Sequence, residues 1–301
     1  MHSGCRPVSV CPIGQSTPSV PFHAGGLVKS LQRVYLERAG ATASDADFSD
    51  TTSEESAMTD NLATARAELA PTGQLRVALN MSNFLLTATD PATGEPCGLA
   101  ADLGRELGTR LGVPVVLIPY PNPGVLADAA STGVWDVGFI GAEPQRAHAI
   151  DFTAAYVEIE ATYLVPPGSP LTRIAEVDRP GVRIAAPDRS AYELYLSRNL
   201  QHAELVRFQG ADSTFEHFVA DKLDALAGLR PRLVTDQENL PGSRILEGNF
   251  TAVQQAAGTP KGRPVGAAYL RAFIEDIKVT GLVARTIAVN NVRGLTVAPP
   301  A

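Results

Sequence analysis

Long apolar runs, clustered basic residues and paired cysteines are all missing from this chain of 301 residues. No stretch approaches the roughly 18 consecutive apolar residues that a membrane-spanning helix needs, which excludes such a span. Lys and Arg number 25 against 32 Asp and Glu, giving a net charge of −7. The cations form no stripe, and phosphate tracking requires one, so no nucleic-acid partner is expected. Cys5, Cys11 and Cys97 have neither metal-ligand spacing nor the even number of a disulfide framework. Cys97 is expected as a small, partly buried side chain, and no metal is expected. Also absent are a Gly-x-Ser-x-Gly elbow, a His-Glu-x-x-His helix, a Walker loop and a dinucleotide fingerprint, so no cofactor is expected. His148 lies near Asp151, but spacing alone does not orient a base on a nucleophile, and it reads as a surface histidine.

The first 57 residues lack the means to bury a core. They hold Pro, Ser and Gly, one short amphipathic segment (Leu27 to Leu36), and then Asp45, Asp47, Asp50, Glu54 and Glu55 with no basic residue between them. That composition predicts a disordered extension. A secretory leader combines a basic start, an apolar core and a small-residue cleavage site. These are not assembled here, and Ser3-Gly4-Cys5 has no apolar segment before it. Met58 reads as the natural start.

Beyond Met58 the chain is patterned. A helical lead, Asn61 to Leu69, precedes a β-run, Leu75 to Leu79, and Asp90 to Pro96 reads as a hairpin loop. Leu99, Leu103, Leu107 and Leu111 recur at i+4, with Asp102 early and Gly112-Val-Pro114 closing the run. This spacing predicts an amphipathic helix. Further strands are expected at Val115 to Ile118 and Val137 to Ile140, with a helix from Pro123 to Ala130 between them and Trp135 in the core. Glu143-Pro144 opens a predicted helix carrying Arg146. Asp151-Phe152-Thr153 then leads to an apolar strand crossing at Thr162 to Val165.

A strand at Val182 to Ala186 runs through Pro187-Asp188-Arg189 into Ser190-Ala-Tyr-Glu193. This is a capping-box pattern, in which hydroxyl and carboxylate satisfy opposing backbone donors. Phe215, Phe218 and Val219 mark another helix, Leu223 to Leu229 a strand, and Phe250 to Ala257 a return crossing. Pro264 starts a helix with Val265, Ala268, Tyr269, Ala272 and Phe273 on one face and Thr280-Gly281 at its stop; a last helix runs to about Val289. The alternation of strand and helix predicts a parallel α/β sheet.

Residues 136–165, DVGFIGAEPQRAHAIDFTAAYVEIEATYLV, are the most telling stretch: an apolar strand, a turn with Arg146, then Asp-Phe-Thr before a second strand. This order resembles the family 3 extracellular solute-binding proteins, the capture proteins of amino-acid-type ABC importers. The resemblance covers roughly Gly73 to Ala288. It implies an α/β fold of the type II periplasmic-binding-protein kind, with two α/β lobes joined by two crossing strands. Residues 58–164 would form the first part of lobe 1, 165–256 lobe 2, and 257–301 C-terminal helices returning to lobe 1. It also implies a monomer that binds a small carboxylate-containing ligand, amino-acid-like or an organic acid. The protein would hinge near Val165 and Ala252 and dock on ABC transporter membrane subunits in the periplasm. Two alternatives stay open: a cytoplasmic ligand-sensing module, given the missing export signal, and a cyclohexadienyl dehydratase on the same fold, with Glu143 or Glu193 as general acid.

The resemblance also implies a site. Arg146 falls where the family's arginine grips the ligand carboxylate, through a planar fork suited to two parallel charge-assisted bonds. Asn80, Asn83 and Phe84 follow the first strand where the cleft is lined, and Phe84 would be an aromatic wall. Gly141 and Ala142 end the strand before Arg146. Ser190 and Ala191 open a helix whose free N–H groups suit an anion. Three residues depart from the family pattern: Glu143 replaces a Thr or Ser, Arg189 a Gly, and Leu229 the Asp that meets an α-ammonium. Leu229 cannot counter an ammonium, so either the ligand lacks a free α-amine or another acid takes over. Arg230 would favour a second anionic group.

Overall fold

The computed structural model describes residues 61–301. The expected disordered extension, with Cys5, Cys11 and Met58, lies outside the described residues. Residues 64–301 belong to one compact unit.

Lobe 1 is built on β1 (Leu75–Asn80), which pairs in parallel with β2 (Val115–Tyr120) on one side and with β3 (Val137–Gly141) on the other. A helix over residues 61–69 (α1) precedes β1, and α2 (Leu99–Leu111) lies between β1 and β2. Leu99, Leu103, Leu107 and Leu111 of α2 are fully buried, as their spacing predicts. Gly112 ends α2 at φ 66, a left-handed conformation that costs a residue without Cβ nothing. A short helix, α3 (Pro123–Asp128), is capped by Asn122, whose side chain accepts from the Val125 N–H at 2.9 Å. Trp135 is fully buried among Ala78, Leu126, Ala130, Ile140 and Ile150. Cys97 is buried, in a two-residue ladder with Ala88 that closes the expected hairpin loop.

Two strands carry the chain between lobes. β4 (Ile150–Val165) is a single strand of 16 residues, roughly 50 Å long at the usual rise. β8 (Thr251–Pro260) runs antiparallel beside it and also pairs with β3. The β4–β8 register shifts between Gln255 and Gly258, an irregularity of the kind that re-aims side chains. Ala161 to Leu164 already pair with β7 (Ala225–Leu229), and Leu164 and Val165 sit in second-lobe cores. The passage between the lobes falls within β4 itself. No turn residue marks the passage, because the strand passes through it unbroken.

Lobe 2 orders its strands β4, β7, β5 (Arg183–Pro187), β6 (Glu204–Phe208), the last three parallel. The helices α4 (Ala191–Asn199), α5 (Ala211–Ala220) and α6 (Arg230–Asn239) follow β5, β6 and β7. Phe218 is buried, but Val219 is exposed. The chain then returns through β8 to α7 (Pro264–Val279) and α8 (Leu282–Val289).

Three local expectations fail. Residues 144–149 form consecutive turns, not a helix: the Arg146 and Ala147 N–H groups both donate to Glu143 O, and Ile150 immediately starts β4. The buried face of α7 is Gly266, Ala267, Leu270, Phe273, Ile274 and Ile277, while Ala268 is exposed. Two apolar stripes overlap on that helix, and the one with the longer side chains wins the core. Finally, the capping box closes one residue early. Ser190 Oγ accepts from the Glu193 N–H at 3.1 Å, but Glu193 Oε2 accepts from the Arg189 N–H, not from that of Ser190.

Candidate functional site

A cavity of about 260 Å³ lies between the lobes. It opens at the carboxyl ends of β1, β3 and β5, where parallel α/β sheets place ligands. Asn80 at the end of β1, Gly141 at the end of β3 and Asp188 just past β5 line it, together with the first residues of α4 and α5 and Val253 and Gln255 of β8. Both helices exceed two turns and turn the positive end of the helix dipole to the cavity; α4 is capped by Ser190, whose Oγ accepts from the Glu193 N–H, and α5 has no side-chain cap.

Arg146 is the cavity's one cation. It is 4% exposed, and its Nη1 donates to Gly141 O at 2.7 Å and its Nη2 to Arg189 O at 2.9 Å. Burial pushes its guanidinium down to about 10 from the usual 12.5, against the opposing field of Glu143. No ion pair reaches Arg146 among the described residues. A buried cation held only by carbonyls is left waiting for an anion.

Of the residues expected at the site, Asn80, Asn83, Gly141, Arg146, Ser190, Ala191 and Leu229 line the cavity. Asn80 Oδ1 accepts from Ser82 and Asn83 Oδ1 from the Leu85 N–H; neither amide nitrogen has an acceptor among the described residues. Phe84, Ala142 and Arg230 are not on the wall. The turns over residues 81–86 aim Asn83 inward and Phe84 outward, where it is 46% exposed beside a separate groove with Leu85 and Leu99. The Ala142 N–H is tied to Gln254 O at 2.8 Å. Arg230 is committed to Glu160 at 2.6 Å and to Gly248 O, so a second anionic ligand group finds no partner in it.

Sequence reasoning missed Asp188, Gln209, Asn122 and Gln255, which also line the cavity. Asp188 sits in the strand-to-helix turn that the capping pattern marks. Gln255 interrupts an otherwise apolar crossing strand, a polar residue where the core pattern calls for none.

The lobes touch across the cavity. Arg189 holds Asp128 of α3 with Nη2 at 2.6 Å and Nη1 at 2.8 Å, and also reaches Gly124 O. Arg198 of α4 pairs with Glu143 at 2.5 Å. Arg189 has φ 57, a left-handed conformation that costs a residue with a Cβ about 1 kcal/mol. Its side chain gains the cross-lobe pair in exchange, which accounts for an arginine where the resembled family has glycine. A Cβ on Gly141 would stand 3.0 Å from Ala191 Cβ on the other lobe and 3.1 Å from Val253 Cγ1, so a side chain there would press against the other lobe.

Two lobes on paired crossing strands, closed over a cavity with a buried, unpaired arginine, define a ligand-clasping protein of the type II periplasmic-binding fold. The family model for bacterial extracellular solute-binding proteins, family 3, matches residues 75–288. The chain belongs to that family and is a solute-binding protein. No curated protein matches it. Among solved structures it is similar to an ancestral amino-acid-binding protein, a precursor of cyclohexadienyl dehydratase. That likeness is 20% identical over 74% of this chain and 97% of the other, with a TM-score of 0.62. It is also similar to an amino-acid ABC transporter substrate-binding protein from Streptococcus pneumoniae bound to L-arginine (18% identical, 78% and 99% covered, TM-score 0.61). A mutant ArgBP from T. maritima is 19% identical over 74% and 97%, with a TM-score of 0.61.

Proposed function

We propose that this protein captures a small carboxylate-bearing molecule between its lobes and hands it to the membrane subunits of an ABC importer, acting as a monomer outside the cytoplasm. The observation that carries this reading is Arg146, a buried guanidinium facing a cavity of about 260 Å³ with no carboxylate partner among the described residues. Its two donors now spent on Gly141 O and Arg189 O match the bidentate demand of a carboxylate. The N-terminus of α4, with Ser190, adds donors of the same sign. The cavity is smaller than the usual drug-sized pocket, in keeping with a metabolite of amino-acid size. Lobe closure is part of the same reading, since a ligand touching both lobes selects the closed state.

The enzymatic alternative needs a general acid in the cleft. Its candidates are engaged elsewhere: Glu143 pairs with Arg198, and Glu193 with Arg207 and Ser197, and neither lines the cavity. The test is a thermal-shift screen with amino acids, keto acids, dicarboxylates and prephenate, followed by scattering with the strongest binder. Stabilisation by carboxylates, lost in Arg146→Ala, and compaction on binding are expected. Consumption of prephenate would move the protein to the enzyme class, and unchanged scattering with a bound ligand would refute closure.

A further inference from the structure

The family match ends at residue 288, and the residues after it cross the passage between the lobes. They leave α8 at Asn290, whose side chain donates to Asp102 of α2 at 3.0 Å, so this end is fixed to lobe 1. Gly294 then packs against Pro231 at the start of α6 in lobe 2, so closely that a Cβ there would run into the proline ring. Next, β9 (Thr296–Val297) pairs antiparallel with β4, Thr296 with Glu158 and Val297 with Val157. The Ala298 N–H donates to Tyr156 O at 3.2 Å. The segment returns to lobe 1 at α7, where Lys278 Nζ donates to Pro299 O at 2.8 Å and the Ala301 N–H to Glu275 Oε2 at 3.2 Å.

The part of β4 that β9 pairs with is the part that must bend when the lobes move. Residues 150–155 of β4 are bound to the lobe 1 end of β8, and Ala161 to Leu164 are bound to β7 of lobe 2. Tyr156 to Glu160 lie between these, beside the register shift in β8. Along this stretch β8 takes one edge of β4, Gln255 beside Val157 and Gln254 beside Glu158. β7 takes the opposite edge and stops at Ala161. β9 therefore continues that opposite edge toward lobe 1, and supplies backbone partners where β4 would otherwise present a bare edge. A strand hydrogen-bonded on both edges has fewer backbone conformations open to it than one bonded on a single edge. The arrangement in which Arg189 holds Asp128 and Arg198 holds Glu143 across the lobes is also the one in which Gly294 meets Pro231.

We propose that residues 290–301 form a strap across the hinge, which holds β4 in its closed-lobe course and raises the share of unliganded protein that is closed. The strap is tied to lobe 1 at both ends and bears on lobe 2 at Pro231. Opening bends β4 between Tyr156 and Glu160, and so strains the pairing with β9 and the contact of Gly294 with Pro231. Apparent affinity scales with the fraction of protein already in the binding-competent form. The strap therefore tunes affinity without touching the ligand, since none of its residues lines the interlobe cavity. This rests on closure by bending in β4 and β8, and adds to it the element that sets the resting position.

Spin labels at exposed Thr132 of lobe 1 and Gln201 of lobe 2 read the opening, on the full chain carrying Cys5→Ser and Cys11→Ser. Deleting residues 294–301 should move the unliganded distance distribution to longer separations. Ala298→Pro, which removes the N–H given to Tyr156 O, should move it the same way by less. Thermal unfolding shows that both variants are folded. Calorimetry on the same preparations uses the twenty common L-amino acids as probes. The closed fraction and the affinity for the tightest of them should fall together, by about fivefold or more on deletion. An unliganded distribution that the deletion leaves unchanged, or moves to shorter separations, would overturn the strap; should no amino acid bind, these unliganded distances decide alone. If a bound amino acid leaves the label separation of the unmodified chain unchanged, lobe closure falls, and the strap with it, while capture of the ligand stands.

Discussion

Replacing Arg146 by methionine should separate the site's function from the fold's stability. The guanidinium lies at about 10 against a usual 12.5 because of burial. A cation whose folded value lies below its unfolded one disfavours folding at every pH below both, here by about 3 kcal/mol. Methionine removes that cost and fills much of the same volume. It also forfeits the two hydrogen bonds to Gly141 O and Arg189 O, worth about 1 to 2 kcal/mol each. The terms nearly cancel, so the unliganded protein should unfold within about 1 kcal/mol of the unmodified one, a few degrees in Tm at this size. Ligand affinity should fall by about 2 to 5 kcal/mol, because the carboxylate would enter the cleft unpaired. Thermal unfolding and calorimetry on the same preparation read both quantities. A variant that loses more than about 3 kcal/mol of unliganded stability, yet binds ligand unchanged, would refute the reasoning and make Arg146 a structural link between lobes.

The same geometry sets three further outcomes. Arg146→Lys keeps the charge but not the fork, so it should cost affinity with little change in stability, and less than alanine does; equal losses would remove the bidentate claim. Gly141→Val should leave lobe 1 folded but block closure, since even a Cβ meets Ala191 at 3.0 Å; scattering that still compacts with ligand would contradict this. The Arg189 hydrogen bond holds the Asp128 carboxyl below its usual 3.8. A depressed carboxylate contributes above its open-state value and loses that contribution as pH falls through the closed-state value. Acidification below about 4, or Asp128→Asn at neutral pH, should therefore loosen the closed form. The pair is exposed, so the effect is at most about 1 kcal/mol; a pH-independent closed fraction would remove its role.

Much of the fold was legible because core-facing periodicity survives in single elements. The leucines of α2 recur at one spacing and are all buried, and the expected parallel strands are short and mostly apolar; β6, with Glu204 and Arg207 exposed, and α6 carry no such pattern and were not expected. Legibility fails where one residue's direction depends on a neighbour far away in sequence. Phe84 and Asn83 are adjacent, and only the turns over residues 81–86 decide which of them faces the cleft. Buried Asp136 binds both Arg76 and Arg263, a pairing across 127 positions that no local pattern encodes. Arg189 is legible as a departure from glycine, but its reason, Asp128 on the other lobe, exists only in three dimensions. Asp188 and Gln255 were hidden for the same cause: a polar residue at a strand end or in a crossing strand becomes informative only once its partners, or their lack, can be counted.

The most direct test of the carboxylate clasp is a crystal structure of the protein with its tightest-binding acid. The account predicts the ligand carboxylate in the cavity, both oxygens at about 2.7 to 2.9 Å from the Arg146 guanidinium, with Ser190 and the first N–H groups of α4 beside it. A ligand carboxylate placed elsewhere, with Arg146 still bound only to the carbonyls of Gly141 and Arg189, would contradict it.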